Sequence, residues 1–471
     1  MAGTGRAGSR IAGRVAGRTA GRTAGRAVDR TARRAPGSWR NWSGDQQARP
    51  ARVEVPRDVA EVSAAVGAAA RDGLRVRMVG AGHSFTGAAL TDGVLLRPDR
   101  LTGLVGVDTA ARTATVRAGT RLRELNRLLG AHGLALENMG DIDRQTLAGA
   151  LATGTHGTGL RYGGLATQIA ALELVLADGS VVTCSPAEQP DLFAAAAVGL
   201  GAYGVVTAVT LRCAPAFTLR AVEEPAKLGD LLGGRFAALA ETDEHVEFYW
   251  FPHTDDCVLK RNNRLRPGEP VQPLRRWRRL LDDEILSNGV FKLTCALGRR
   301  APAVIPRVNR LATGLLGTRT YTAASHRVFT SPRRVRFREM EYALPRAGIP
   351  AALRELDGLI RRRGWRISFP VEVRVAAPDG LWLSTAHGRE TGYVAVHQYV
   401  RTPHQEYFEA VESIMLAAGG RPHWGKLHNL DAAGLAPRYP RFADAVALRD
   451  SVDPERRFGN AYVDRVLTTP S

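Results

Sequence analysis

Val79-Gly80-Ala81-Gly82-His83-Ser84-Phe85 is the stretch whose reading decides the fold. It follows a strand-like run, Arg75-Val76-Arg77-Met78-Val79, and brings glycines and a histidine together in one short loop. Glycine lets the backbone turn tightly and approach a bulky ligand, because no Cβ intervenes. A histidine at the end of such a turn presents an imidazole nitrogen to whatever the loop cradles. Taken alone, the loop has a plainer reading as a strand-ending turn with a surface histidine, and short glycine motifs do not separate the two. Its surroundings have to decide.

Upstream, Asp58 to Arg71 places alanines and valines at helical spacing behind an acidic start, which predicts a helix. Arg52-Val53-Glu54-Val55-Pro56 reads as a short strand before it, with Trp39 to Gly44 as a lead-in. Downstream, Val94-Leu95-Leu96, Leu104 to Val107 and Ala114-Thr115-Val116 read as strands, and Leu122 to His132 as an amphipathic helix ending at Gly133. A βαβ unit followed by a small β-rich piece indicates an α+β domain. The second dense stretch runs from Gly140-Asp141-Ile142-Asp143 through Thr146 and Gly149 to Thr153-Gly154-Thr155-His156-Gly157-Thr158-Gly159. Backbone amides and small hydroxyls without bulky side chains suit close contact with a pyrophosphate or a flat ring. A small-residue helix with a flexible loop is the alternative. Ile169 to Leu176 and Gly179 to Thr183 then read as a hairpin, Asp191 to Val198 as a helix and Val205 to Arg212 as a strand, with Ala214-Pro215-Ala216 closing the domain.

From about residue 218 the character changes. Arg261 to Arg279 is polar and arginine-rich and reads as an excursion. Val371-Glu372-Val373-Arg374-Val375 and Tyr393-Val394-Ala395-Val396-His397 alternate like sheet strands, and Pro350 to Arg363 and Gln405 to Ala418 read as helices packed on them. A second α+β domain with an antiparallel sheet is expected.

Composition narrows the class. A chain of 471 residues with 44% hydrophobic and 24% charged residues is long enough for two or three ordinary globular domains. No apolar run approaches the ~20 residues that span a bilayer. The net charge of +19 is uneven, because the first forty residues repeat Ala-Gly-Arg and carry Asp29 as their one acid. Abundant glycine and few large apolar residues make that tail read as disordered. It lacks the apolar stretch of an export signal. The cysteines, Cys184, Cys213, Cys257 and Cys295, are far apart without metal-ligand spacing, which fits reduced thiols in a cytoplasmic protein. Only Lys227, Lys260, Lys292 and Lys426 are lysines.

Glu372 and Arg374 stand two apart on a strand, so both side chains leave the same face. Such a pair can hold sugar hydroxyls or stabilise charge on a ring, or be an exposed ion pair. Pro422-His423-Trp424-Gly425-Lys426 gathers an aromatic, a glycine and one of the rare lysines, where a cation could face a flavin, or simply sit on a surface turn. His397 is a further candidate. No paired-cysteine or HxxxH metal pattern, Walker loop, Gly-x-Ser-x-Gly elbow or usual dinucleotide fingerprint is present.

Taken in order, the Val79–Phe85 loop, the Gly140–Gly159 stretch, Glu372-Val373-Arg374, His423–Lys426 and Asp453-Pro454 through Phe458-Gly459-Asn460 resemble the sugar-lactone and alditol oxidases, flavoproteins of the vanillyl-alcohol-oxidase (PCMH) type. The likeness spans about residues 40 to 468. It implies an Arg/Gly-rich tail at 1–40, a two-subdomain FAD-binding domain at 41–217, a substrate-carrying cap at 218–440 and a C-terminal segment at 441–471 that returns to the flavin. FAD would be bound through Gly80, Ala81, Gly82, Ser84, Gly140, Asp141, Thr146, Gly149, Thr153, Gly154, Thr155, His156 and Val205, with His83 as its covalent attachment point. Glu372, Arg374, Lys426 and His397 would serve catalysis. The implied reaction is hydride transfer from an aldono-1,4-lactone to flavin N5, with oxygen reduced to hydrogen peroxide. Alditol oxidation and an oxygen-independent lactone dehydrogenase are the alternatives. Gly140 matches the glycine of oxygen-using members, and Asp141 replaces the serine of alditol-oxidising ones. The expected partners are a small sugar lactone or polyol and an electron acceptor, with neither nucleic acid nor a membrane span. A basic nucleic-acid-binding protein is the competing class, which a flavin absorbance spectrum eliminates.

Overall fold

The computed structural model describes residues 37–274, 298–314, 317–331 and 335–470. The arginine-rich tail, Cys295 and the later part of the Arg261–Arg279 excursion therefore lie outside the described residues.

The helix after the first strand forms as its sequence dictates. Asp58 caps Val59–Arg71, its side chain accepting from the Glu61 amide, and Val62, Ala65, Val66 and Ala69 are buried. The helix returns the chain to a parallel three-stranded sheet in which Val94–Leu96 lies between Arg52–Glu54 and Val76–Met78. The glycine-histidine loop leaves the end of Val76–Met78, with the Val79 amide bonded to the Leu96 carbonyl at 3.0 Å. A five-stranded antiparallel sheet follows, in the order Val181–Cys184, Ile169–Val175, Val205–Arg212, Thr113–Arg117 and Leu104–Asp108. Between its strands the short helix Leu147–Ala152 begins directly after Thr146.

The C-terminal residues pack into this half. Phe442, Ala445, Tyr462, Val463 and Val466 share one core with Leu122, Leu147 and Leu172. Asn460 caps the helix Ala461–Val466 through the Val463 amide and donates to the carbonyls of Gly87 at 2.9 Å and Leu90 at 2.7 Å. The Asp453 carboxylate accepts from the amides of Arg457 and Phe458 at 2.7 and 2.8 Å, which shapes the turn before it.

The other half is an eight-stranded antiparallel sheet. Its order is Arg319–Ala324, Thr218–Lys227, Asp256–Arg264, His245–Trp250, Val371–Ala376, Thr391–Tyr399, Phe337–Pro345 and Arg421–Pro422. Strand alternation gives it two unlike faces. Val246, Phe248, Met340, Val373, Val375, Val394 and Val396 fill a core with Leu353, Leu356, Phe408 and Val411 from the helices Ile349–Arg363 and Gln405–Ala417. The residues in between, Glu247, Tyr249, Glu339, Glu341, Glu372, Arg374 and His397, occupy the other face.

The reading of Arg261 to Arg279 as an excursion is corrected at its start, because the strand Asp256–Arg264 runs through Arg261 and Arg264. These arginines sit in the sheet by pairing with acids of neighbouring segments: Arg261 with Glu224 at 3.6 Å and Arg264 with Glu244 at 3.3 Å.

Candidate functional site

Two clefts meet at the glycine-histidine loop. The first, about 930 Å³, runs beneath Gly80, Ala81 and Gly82 and is walled by Arg77, Thr146, Gly149, Gly204, Val205 and Phe458. The second, about 810 Å³, is walled by Gly140, Asp141, Thr155, His156, Glu339, Glu341, Glu372, Arg374, His397, His423 and Lys426. His83, Ser84, Gln145 and Thr153 border both. Of the residues given a cofactor or catalytic role in the sequence analysis, Gly154 alone borders neither. Its φ of 74° makes the turn that ends the Leu147–Ala152 helix.

The loop is held from two sides, by Asn41-Trp42 and by Gly425. The Trp42 amide donates to the Gly82 carbonyl at 2.7 Å, the Phe85 amide to the Gly425 carbonyl at 2.8 Å, and Asn41 Nδ2 to the Ser84 carbonyl at 3.1 Å. Gly82 has φ of 72°, and a Cβ there would meet the Trp39 ring at 3.0 Å. The His83 ring lies 5.7 Å from that of Trp42. Burial, with Arg121, Lys426 and Arg144 adding to it, lowers the His83 imidazole to about 4, so the ring is neutral near pH 7.

Two charged clusters face it from the large sheet. In the first, Arg374 contacts Glu372 directly, donates through Nε to Glu247 at 2.8 Å and stands 4.0 Å from Asp141. In the second, Lys426 contacts Glu339 and lies 3.9 Å from Glu341, while His156 Nε2 is 3.1 Å from Glu341 and His397 Nε2 is 3.5 Å from Glu339. The His156 ring also stacks on Tyr393 with centroids 3.5 Å apart. Burial pushes the Glu339 carboxyl up, but Lys426 and then His397 outweigh it and hold it at about 2. Burial also opposes ionisation of Glu341, yet His156, Lys426 and His423 keep it well below the usual carboxylate range. Lys426 is lowered by burial and raised more by Glu339 and Glu341, so it stays charged.

Glu339, Glu341 and Glu247 were not found from the sequence. The signal for the first two was available: Phe337-Arg338-Glu339-Met340-Glu341 puts two carboxylates on one strand face, the same spacing that exposed Glu372 and Arg374. Their partners come from other strands, and linear spacing does not carry that. The same holds for His156, Glu341 and His423, whose ligand-type atoms all lie within 4.8 Å of one another although their segments are far apart in the chain.

The first cleft fits FAD. Thr146 Oγ1 is buried there without a hydrogen-bond partner, an orphan that a phosphate or ribose oxygen would satisfy. Gly80 faces it so closely that a Cβ would fall 2.5 Å from that oxygen, so only glycine leaves the cradle open. A sequence profile described as an FAD binding domain matches residues 50–185, and one described as D-arabinono-1,4-lactone oxidase matches residues 209–466.

The chain belongs to the D-arabinono-1,4-lactone oxidase family.

Relatives within this family extend over the whole fold. L-gulono-1,4-lactone dehydrogenase of Mycobacterium tuberculosis is 43% identical over 91% of this chain and 99% of its own length. L-gulonolactone oxidase of Bos taurus is 32% identical over 91% of this chain and 98% of its own. Among solved structures, cholesterol oxidase from B. sterolicum superposes with a TM-score of 0.77 over 92% of this chain and 96% of that one, at 19% identity, a likeness of fold alone. The family makes this protein an FAD-linked oxidoreductase with an α+β, PCMH-type architecture. Among the described residues, no helix is long and apolar enough to cross a membrane.

Proposed function

We propose that the protein oxidises a sugar-derived aldono-1,4-lactone of the L-gulono or D-arabinono type, with oxygen as the electron acceptor and hydrogen peroxide as co-product. The observation that carries this reading is the meeting of the Glu372–Arg374 pair, Lys426 and His83 around one cleft. In this reading residues 41–217 and 441–471 hold FAD and residues 218–440 carry the substrate. Gly80, Ala81, Gly82, Ser84, Thr146, Gly149, Thr153 and Val205 line the dinucleotide side, while Gly140, Asp141, Thr155 and His156 line the ring side. Bound there, FAD supplies a two-electron acceptor for the hydrogen on the hydroxyl-bearing carbon. Glu372 accepts hydrogen bonds from the lactone's hydroxyls, and His397 lines the same wall. Arg374 and Lys426 keep positive charge beside the position where negative charge develops. His83, kept neutral by burial, is the nucleophile for covalent attachment of the cofactor.

Oxygen is favoured by Gly140. A Cβ there would come 3.0 Å from Thr155 Cγ2 and 3.1 Å from the His156 carbonyl oxygen, so glycine leaves that wall uncrowded. An oxygen-independent dehydrogenase is the second reading, favoured by the name of the 43% identical mycobacterial relative. Asp141 at the cleft, in place of the serine of alditol-oxidising members, weighs for lactones over open-chain alditols. A cytoplasmic location belongs to this reading, since Cys184, Cys213 and Cys257 are free thiols.

The test is anaerobic mixing of the yellow protein with L-gulono-1,4-lactone, D-arabinono-1,4-lactone or xylitol, followed by air. Bleaching by a lactone and peroxide on aeration are expected. Bleaching by xylitol alone overturns the substrate class, and turnover with an artificial acceptor but no peroxide overturns the acceptor.

A further inference from the structure

Behind the Glu372–Arg374 pair lies a layer of buried and half-buried groups that the reading above does not use. The strand His245–Trp250 runs between Asp256–Arg264 and Val371–Ala376, with Glu247 opposite Lys260 and Tyr249 opposite Glu372. None of Glu247, Tyr249 and Lys260 borders either cleft. One Glu247 oxygen accepts from Arg374 Nε at 2.8 Å, and the other accepts from Lys260 Nζ at 2.8 Å. The Tyr249 hydroxyl reaches Glu247 at 3.2 Å and Glu372 at 3.0 Å, and so ties the two carboxylates together.

A guanidinium is planar, so fixing Nε on one carboxylate and Nη2 on another fixes the direction of the whole group. Without Glu247, both remaining acids, Glu372 and the more distant Asp141, meet Arg374 at Nη2, and the guanidinium could pivot about that end. We propose that Glu247 is a positioning residue, which sets the guanidinium plane of Arg374 toward the cleft while Lys260 holds its other oxygen and Tyr249 couples it to Glu372. Burial raises the Glu247 carboxyl, but Lys260 and Arg374 bring it down to about 2, so the clamp is charged at every working pH. The inference rests on the reading that Arg374 serves the reaction.

The test uses FAD-loaded Arg374→Ala, Glu247→Gln and the double variant Glu247→Gln/Lys260→Met, with the lactone that bleaches the wild type. Glutamine keeps the size and an acceptor oxygen but loosens the clamp and leaves Lys260 without its counter-ion. Glu247→Gln is expected to lower kcat/KM by roughly 100-fold, mostly in kcat, the scale of a small misplacement of a working group. FAD content and flavin spectrum should match the wild type. Removing Lys260 as well is expected to restore the unfolding midpoint without restoring kcat, and if Glu247→Gln fails to fold, the double variant carries the kinetic comparison. Recovery of both stability and kcat in the double variant would make Glu247 a mere counter-ion and overturn the proposal. Wild-type kinetics for Glu247→Gln beside an impaired Arg374→Ala would overturn it too. An unimpaired Arg374→Ala would instead overturn the reading beneath it.

Discussion

Replacing Lys426 by methionine should reverse the way this protein's stability depends on pH. Lys426 is the ammonium between the buried carboxylates Glu339 and Glu341. In the folded protein the Glu339 carboxyl lies at about 2 against an ordinary 4.5, the outcome of burial pushing up and of Lys426 and His397 pulling down. At ~1.4 kcal/mol per pH unit that depression corresponds to about 3 kcal/mol of folded-state preference for the carboxylate. Because the folded value lies below the unfolded one, the wild type has this stabilisation above about pH 4.5 and loses it as pH falls toward 2. Methionine fills the space without the charge, so burial governs and the carboxyl rises above its ordinary value. A group raised on folding stabilises below its unfolded value and loses that contribution as pH climbs through the folded one. The variant should therefore be less stable by about 3–5 kcal/mol at pH 7, the cost of an uncompensated buried charge, with the gap narrowing steadily toward pH 4.5. Urea unfolding of both proteins at matched FAD content from pH 4.5 to 8 measures it. A gap under ~1 kcal/mol, or one that does not change with pH, would refute the argument that Lys426 is what keeps these carboxylates ionised.

His83→Ala should release FAD into the supernatant on acid precipitation, whereas the wild type keeps flavin in the pellet; flavin released equally by both would sink the covalent assignment. Gly80→Ala puts a methyl 2.5 Å from Thr146 Oγ1 and 3.3 Å from the Gly149 Cα. The overlap should cost about 1–3 kcal/mol and lower FAD occupancy, read as the 450/280 nm absorbance ratio, while Gly106→Ala, with open space around it, should leave the ratio alone. Gly140→Ala crowds Thr155 and the His156 carbonyl, so peroxide production should fall relative to reduction of an artificial dye. An unchanged ratio of the two rates would show that this wall does not control oxygen.

What was legible in the sequence follows from the range over which each physical signal acts. The Val59–Arg71 helix, its Asp58 cap and the glycine loop are local, and local spacing displays them. Glu372 and Arg374 were legible because a strand's two-residue period is itself local. Gly154 shares its motif with Thr153 and Thr155, but only the folded chain shows that those two border the clefts and Gly154 does not. Arg261 and Arg264 read as loop because their acidic partners, Glu224, Asp243 and Glu244, lie on other segments, and without partners a charged run looks like solvent-facing chain.

The same limit explains the site's hidden half, and it has a consequence for how the site is built. Glu339 sits in register with His397 on the neighbouring strand, and Glu247 with Lys260 on another. One strand discloses which face a side chain takes, but only register discloses its neighbour. On this sheet the apolar face depends less on strand partners, since its side chains pack against the helices behind it. The charged face does need it, because Arg374, Lys260 and Lys426 each meet a carboxylate carried by a neighbouring strand, while Arg421 on the same face is held by the carbonyls of Thr385, His387 and Arg438. A one-residue slip of Phe337–Pro345 would send Glu339 and Glu341 into the apolar core and strand Lys426 without a partner. The charged face is thus also what penalises wrong registers of the sheet. Substitutions in the charged clusters should therefore lower the yield of correctly folded, FAD-competent protein unless, as in Glu247→Gln/Lys260→Met, charges are removed in matched pairs, which restores the yield but not the turnover.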